Sequence, residues 1–281
     1  MKIVEYRLRL PISCADYYRG QLYMVARSSM EETGVTEGEG VEIVKNEPYV
    51  DNPHGMPPGQ YTEKNFYLRS HVPSFIAAVI PDEFFVLIEY SWNAFPKCLT
   101  IYENKYLGEK FFLSVETLHA DDRGEQDNAN LLTAEELKLR SVDVLDIADK
   151  NNGVAMIKGE DPTQFVSQKY PEHSKLKKDF AETCTPVMTA YKVVRLEFKV
   201  FGLQSKVEKW GQYYGMRGSF IKFHRKLWCW MDEWMDLSLE EIRDMEEKAK
   251  QYGRRMLHPE NGVKGESTPK IKGGSILARA S

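Results

Sequence analysis

Between residues 41 and 119 five successive short segments read as strands, and this constrains the fold more than any other feature of the chain. The segments cover residues 41–49, 60–69, 84–92, 97–106 and 110–119 and are joined by turn-rich pieces such as DNPHGMPPG. Strands spaced in this way read as a long antiparallel meander.

The flanking segments extend the pattern. Val4, Tyr6, Leu8 and Leu10 alternate with Glu5, Arg7 and Arg9, which predicts a first strand rather than a signal peptide. In DYYRGQLYMVARSS, Tyr18, Leu22, Val25, Ala26 and Ser29 fall at helical spacing, with Asp16 as the N-cap. TAEEL reads as a short capped helix within a polar stretch over 120–140, and SVDVLDIA (141–148) as another strand. Residues 150–186 lack periodicity and read as an irregular excursion. MTAYKVVRLEFKVF returns to strand, with Ala190, Val194, Leu196, Phe198 and Val200 on one face. A helix over 204–234 carries Phe220, Phe223, Leu227, Trp230 and Trp234 as its apolar stripe, while Gly211, Gly215 and Gly218 weaken its first half. Ser238 and Glu241 form a capping box at the start of a last helix. Strand, helix, many antiparallel strands and then long helices give an α+β fold with helices packed on one face of a large sheet.

Composition narrows the functional classes. Hydrophobic residues at 42% and charged residues at 28% suit a globular protein with a sizeable core. A formal net charge of −4 argues against a general nucleic-acid binder. The longest apolar runs, such as FFVLI, are too short to span a bilayer. The four cysteines, at 14, 98, 184 and 229, form no CxxC pair, so no zinc or redox motif is supported. Unpaired cysteines suit a reducing, intracellular compartment. The six histidines, at 54, 71, 119, 173, 224 and 258, group in no catalytic pattern, and His119 and His224 read as structural.

Several polar residues stand where apolar ones are expected. Thr62 and Lys64 share a strand face with Phe66, so Lys64 is either a solvent-facing lysine or a buried ammonium needing a partner. Glu246 lies on or beside the stripe of Leu239, Ile242, Met245 and Ala249, either as an edge carboxylate or as one aimed inward. Asn93 and Cys98 flank the WNAFPKC turn, where Pro96 limits the geometry. A lysine, a threonine, an asparagine and a glutamate without a nucleophile–base pair suit binding of a polar head group rather than catalysis.

YRLRLPIS with GQLY, EGVEIVKNEPY, GQYTEK, WNAFPKC, DIAD, AYKVVRLEFKVFGLQSKVE and FHRKLWCWMDEWMDLSLEEIRDMEE occur in one order over about residues 1–255. In these stretches the chain resembles the class I phosphatidylinositol transfer proteins. The resemblance implies a START-like helix-grip fold, in which a large concave antiparallel sheet and long C-terminal helices enclose one phospholipid. It implies exchange of phosphatidylinositol and phosphatidylcholine between membranes, with no cofactor, no metal and no catalytic residue. Sensing lipid, or presenting it to a lipid kinase without bulk transfer, is the alternative. By resemblance, Thr62, Lys64, Asn93 and Glu246 hold the inositol head group, and Gln21, Cys98, Thr100 and Thr117 lie near the phosphate or choline. Val200 and Phe201 stand where many animal members carry a membrane-docking tryptophan pair, and Ser167 falls near a regulatory phosphorylated serine. The resemblance also implies a cytoplasmic monomer that visits membrane surfaces of the Golgi or endoplasmic reticulum. Residues 256–281 read as a flexible, basic, Gly-rich tail behind a transfer domain over 1–255.

Overall fold

The computed structural model describes residues 1–72 and 81–258, so the basic tail expected over 256–281 lies almost wholly outside the described residues. Eight strands form one sheet: β1 (Lys2–Leu10), β2 (Gly40–Tyr49), β3 (Gly59–Tyr67), β4 (Val86–Ala94), β5 (Lys97–Glu103), β6 (Phe111–Ala120), β7 (Arg140–Leu145) and β8 (Met188–Phe198). Their order is β2-β3-β4-β5-β6-β8-β1-β7. The run from β2 to β6 is the antiparallel meander that the turn-linked segments predict.

The sheet is mixed, however, because β7 pairs with β1 in parallel, with Glu5 opposite Val142 and Arg7 opposite Val144. The expected large antiparallel sheet thus forms with one parallel pair at its edge. Alternation along SVDVLDIA marks a strand but carries no information on the direction of its partner, and β7 ends at Leu145, short of the expected 148.

Among the described residues the helices are α1 (Cys14–Glu32), α2 (Ala134–Leu139), α3 (Gln204–Trp210), α4 (Gly218–Cys229), α5 (Met231–Trp234) and α6 (Leu239–Leu257). The capping boxes Thr133–Glu136 and Ser238–Glu241 form as expected. Ser13, not Asp16, caps α1: its hydroxyl accepts from the Asp16 N–H and donates to Asp16 Oδ2 at 2.6 Å. A π-helical stretch, Gly211–Arg217, joins α3 to α4, so the glycines interrupt the α-helix without ending the rod. Gly211 packs closely against the sheet: a Cβ there would meet Leu196 Cδ2 at 2.8 Å. Gly20 likewise lets α1 close on the Trp234 ring, which a Cβ would meet at 3.0 Å.

The main core lies between one sheet face and these helices, around Tyr6, Leu8, Tyr17, Met188, Ile221, Trp228 and Trp234. The buried face of α4 is Ile221, His224, Arg225 and Trp228, with Leu227 beside it; Phe220 and Phe223 are only half-buried. On α6 the buried residues are Ile242, Glu246, Ala249 and Gly253, whereas Leu239 is exposed. Of the expected stripes, Leu227, Trp230, Trp234, Ile242 and Ala249 are buried and Phe220, Phe223 and Met245 pack half-buried against the core, so Leu239 alone faces out. The excursion after β7 contains only short 3₁₀ turns, at Pro171–His173 and Phe180–Glu182. It is tied down by buried Arg225, whose guanidinium donates to the carbonyls of Ile147 (2.9 Å), Val154 (3.0 Å), Ala155 (3.1 Å) and Asp149 (3.2 Å).

Candidate functional site

Residues directly paired in a ladder share a face, so the register assembles the site in rows. One row runs Gln60–Asn93–Cys98–Thr117–Lys192–Tyr6 across β3, β4, β5, β6, β8 and β1. The next runs Asn46–Thr62–Ser91–Thr100–Val115–Val194, starting on β2. The third is Lys64–Glu89–Tyr102–Leu113–Leu196, and beyond it lie Phe66, Leu87, Phe111 and Phe198. All rows face the helices, since Tyr6 and Val194 belong to the core beneath α4. One inner surface therefore passes from polar to apolar along the strands.

The four residues expected at an inositol head group share this interior. Lys64 Nζ donates to Glu89 Oε1 at 2.9 Å, so Lys64 is the buried ammonium with a partner and not a solvent-facing lysine. Glu89 also binds the Tyr102 phenol, whose pKa burial raises well above its usual value, with the Glu89 charge adding to the effect. Glu246 points inward from α6: its Oε2 accepts from Asn46 Nδ2 at 3.1 Å and Arg243 Nη1 at 2.6 Å. Asn46 Oδ1 in turn accepts from Gln60 Nε2 at 2.7 Å, linking Glu246 to the row that holds Asn93. Asn93 Oδ1 is buried with no hydrogen-bond partner among the described residues, an acceptor whose burial alone is unfavourable. A cavity of about 360 Å³, bounded by Tyr18, Gly59, Gln60, Asn93, Phe95 and Arg243, opens at this end.

Cys98 and Thr100 lie alongside. Ser91 Oγ shares a hydrogen bond with Thr100 Oγ1 at 3.1 Å and contacts Cys98 Sγ at 3.5 Å. Thr117 is buried opposite Cys98 in the ladder. Gln21 is half-buried on α1, one turn beyond Tyr17 and Tyr18.

Sequence reasoning missed Lys192, which sits between Thr117 and Tyr6 in the most polar row. Its position was legible: Lys192 lies midway between Ala190 and Val194 on the same strand face, a lysine within an apolar stripe. Its Nζ lies 5.3 Å from the Phe220 ring centroid. Burial lowers its pKa from the ordinary 10.5 to about 8, with Cys98 opposing the shift. Lys192 and Tyr102 are walled in by protein yet each keeps accessible surface, as groups facing an internal cavity do. Val4, Met216, Phe220, Phe223 and Met245 are likewise only half-buried although they pack against the core.

His119 and His224 flank this region as buried, neutral groups. His224 Nδ1–H donates to the Phe220 carbonyl at 2.6 Å, which leaves Nε2 to accept from the Tyr17 hydroxyl at 2.9 Å. His119 Nδ1–H donates to the Pro96 carbonyl at 2.9 Å. Burial, then the charge of Lys192, pushes both imidazoles down to about 3. Charge-free at neutral pH and locked by these bonds, they are poorly placed to shuttle protons.

The expected docking pair divides. Phe201 is fully exposed, whereas Val200 turns back into a small cluster with Phe198, Leu107 and Val207. Ser167 is buried, and its hydroxyl donates to Asp232 while accepting from the Tyr170 N–H at 2.7 Å. A kinase reaches that hydroxyl only if the contact with α5 opens.

A family model described as phosphatidylinositol transfer protein matches residues 1–251. Phosphatidylinositol transfer protein 2 of Dictyostelium discoideum is 46% identical over 250 residues, covering 89% of this chain and 94% of that protein. The human phosphatidylinositol transfer protein beta isoform is 43% identical over 253 residues, 88% of this chain and 91% of its own. Protein retinal degeneration B of Drosophila melanogaster is 40% identical over 260 residues, but the match occupies only 20% of that longer protein.

Proposed function

The chain belongs to the phosphatidylinositol transfer protein family, and from that premise we propose that it encloses one phosphatidylinositol or phosphatidylcholine molecule and exchanges it between membranes. It is a carrier and not an enzyme. Each acyl methylene costs about 0.8 kcal/mol to expose to water, so a carrier must enclose both chains. It must also satisfy the head group inside, because a buried polar group without a partner is costly.

The observation that carries this reading is the gradient along the inner surface, from Gln60, Asn93, Thr117 and Lys192 to Phe66, Leu87, Phe111 and Phe198. A phospholipid fits it head group first. Lys192, Thr117 and Thr100 are set to bind the phosphate, with Cys98 beside them and Gln21 reaching in from α1. Inositol adds hydroxyls that donate to Asn93 and Glu246 and that Thr62 and Lys64 bind. Choline offers no hydroxyl, so the last four residues favour the inositol lipid. Loading requires an opening, and α6 is the natural lid because it carries Glu246 across the polar end. Among the described residues no helix is long and apolar enough to cross a membrane. By its family the protein is read as a monomer that moves through the cytoplasm and touches membranes transiently.

Vesicle-to-vesicle transfer of both lipids by Asn93→Ala and Glu246→Ala tests the assignment. Phosphatidylinositol transfer is expected to collapse while phosphatidylcholine transfer persists. Equal loss of both, or surviving phosphatidylinositol transfer, overturns it.

A further inference from the structure

Phe201 does not stand alone. The ladder between β6 and β8 closes at Phe111 opposite Phe198, and the Lys199 N–H then donates to the Lys110 carbonyl at 2.7 Å. The loop before β6 and the loop after β8 are thus stitched together at one end of the molecule. Each loop turns one apolar residue inward and presents its neighbour. Leu107 and Val200 enter the same cluster with Phe198 and Val207. Tyr106 and Phe201, adjacent to them in sequence, are turned out with 54% and 104% relative exposure.

We propose that Tyr106 and Phe201 form one two-pronged edge that enters the interfacial zone of a phospholipid bilayer. The proposal rests on the docking and transfer reading above and adds a second anchor, of different chemistry. Tyrosine carries an apolar ring and a polar tip, which suits the head-group level, while phenylalanine can go deeper. Charge fits the same partner: Lys105, Lys110, Lys206 and Lys209 are exposed around the two loops, against exposed Glu103 and Glu109. Lys199 is offset by Glu197 at 2.8 Å. The edge also lies at the apolar end of the inner surface. Lys192 is six residues from Phe198 along β8, roughly 20 Å at the rise of an extended strand. A lipid held head group inward would point its chains at the bilayer this edge touches.

Tryptophan placed at each prong tests the edge. Tyr106→Trp and Phe201→Trp are made separately, and quenching by vesicles of brominated phosphatidylcholine with a minor fraction of phosphatidylserine is measured above the unsubstituted protein. Quenching of both is expected. In addition, Tyr106→Ala should weaken binding to the same unbrominated vesicles about tenfold, the loss expected for roughly half a tyrosine ring no longer buried. Retention of co-purified phospholipid shows that this variant has folded. If Phe201→Trp is quenched but Tyr106→Trp is not, the two-pronged edge is wrong while the docking reading stands. If neither is quenched, the docking reading itself fails.

Discussion

Lys192 offers the sharpest test, because removing its charge should move stability and binding in opposite directions. A pKa lowered from 10.5 to about 8 means that the folded, lipid-free protein holds this ammonium about 3 kcal/mol less well than water does. Between these two values the unfolded chain binds the proton that the folded chain has released, so stability rises with pH there. Below pH 8 the full cost of about 3 kcal/mol is present; above 10.5 it is gone. Lys192→Met keeps the length of the side chain and removes the charge. The delipidated variant should therefore be more stable at neutral pH by up to about 3 kcal/mol, or roughly 6–12 °C in melting temperature for a domain of this size. The gain should shrink as pH rises from 8 towards 10.5. A lipid phosphate supplies the missing partner, so the same variant should bind and transfer both phospholipids poorly. Thermal melts of delipidated protein across pH, alongside transfer of both lipids, read the two effects. An unchanged or lower melting temperature with normal transfer would refute the idea that Lys192 is a charge awaiting an anion.

Other consequences are independent of that one. Lys64→Ala strands the buried Glu89 carboxylate and should cost about 3 kcal/mol in denaturant unfolding; adding Glu89→Gln should restore most of the stability but not phosphatidylinositol transfer. Full recovery of transfer would make Lys64 merely structural. His119 and His224 stay neutral down to about 3, whereas unfolded histidine protonates near 6.5, so stability should fall as pH drops through that window. His119→Gln should flatten the slope of unfolding free energy against pH by up to one proton; an unaltered slope contradicts a neutral buried imidazole. Arg225→Met leaves the carbonyls of Ile147, Asp149, Val154 and Ala155 without their donor and should destabilise by about 3 kcal/mol or more, with faster protease cleavage over 146–155. Cleavage at the original rate would mean that the guanidinium does not anchor this segment.

Much of the candidate site was legible because it is built on strands. A two-residue period places Thr62 and Lys64 on one face whatever the partner strand, and the interior confirms that face. Glu246 was legible from its place in a helical stripe, and its burial depends on Asn46 and Arg243, which no local pattern links to it. Lys192 shares the strand face of Ala190 and Val194, and a lone charge within an apolar stripe is the local mark of an inward-facing cation.

What the amino-acid sequence determines by itself here is local: strand and helix periods, the two capping boxes, and the facing of residues along each strand, all set by interactions within a few residues. The tertiary structure alone decides what joins distant segments. It pairs β7 in parallel with β1, turns α4 so that Ile221 and Trp228 enter the core, and sends Val200 inward while leaving Phe201 outside. It also brings Asn93, Glu246 and Lys192 to one polar end. These outcomes depend on which surfaces meet between segments far apart in the chain, and a side chain's periodicity holds no record of its distant partner.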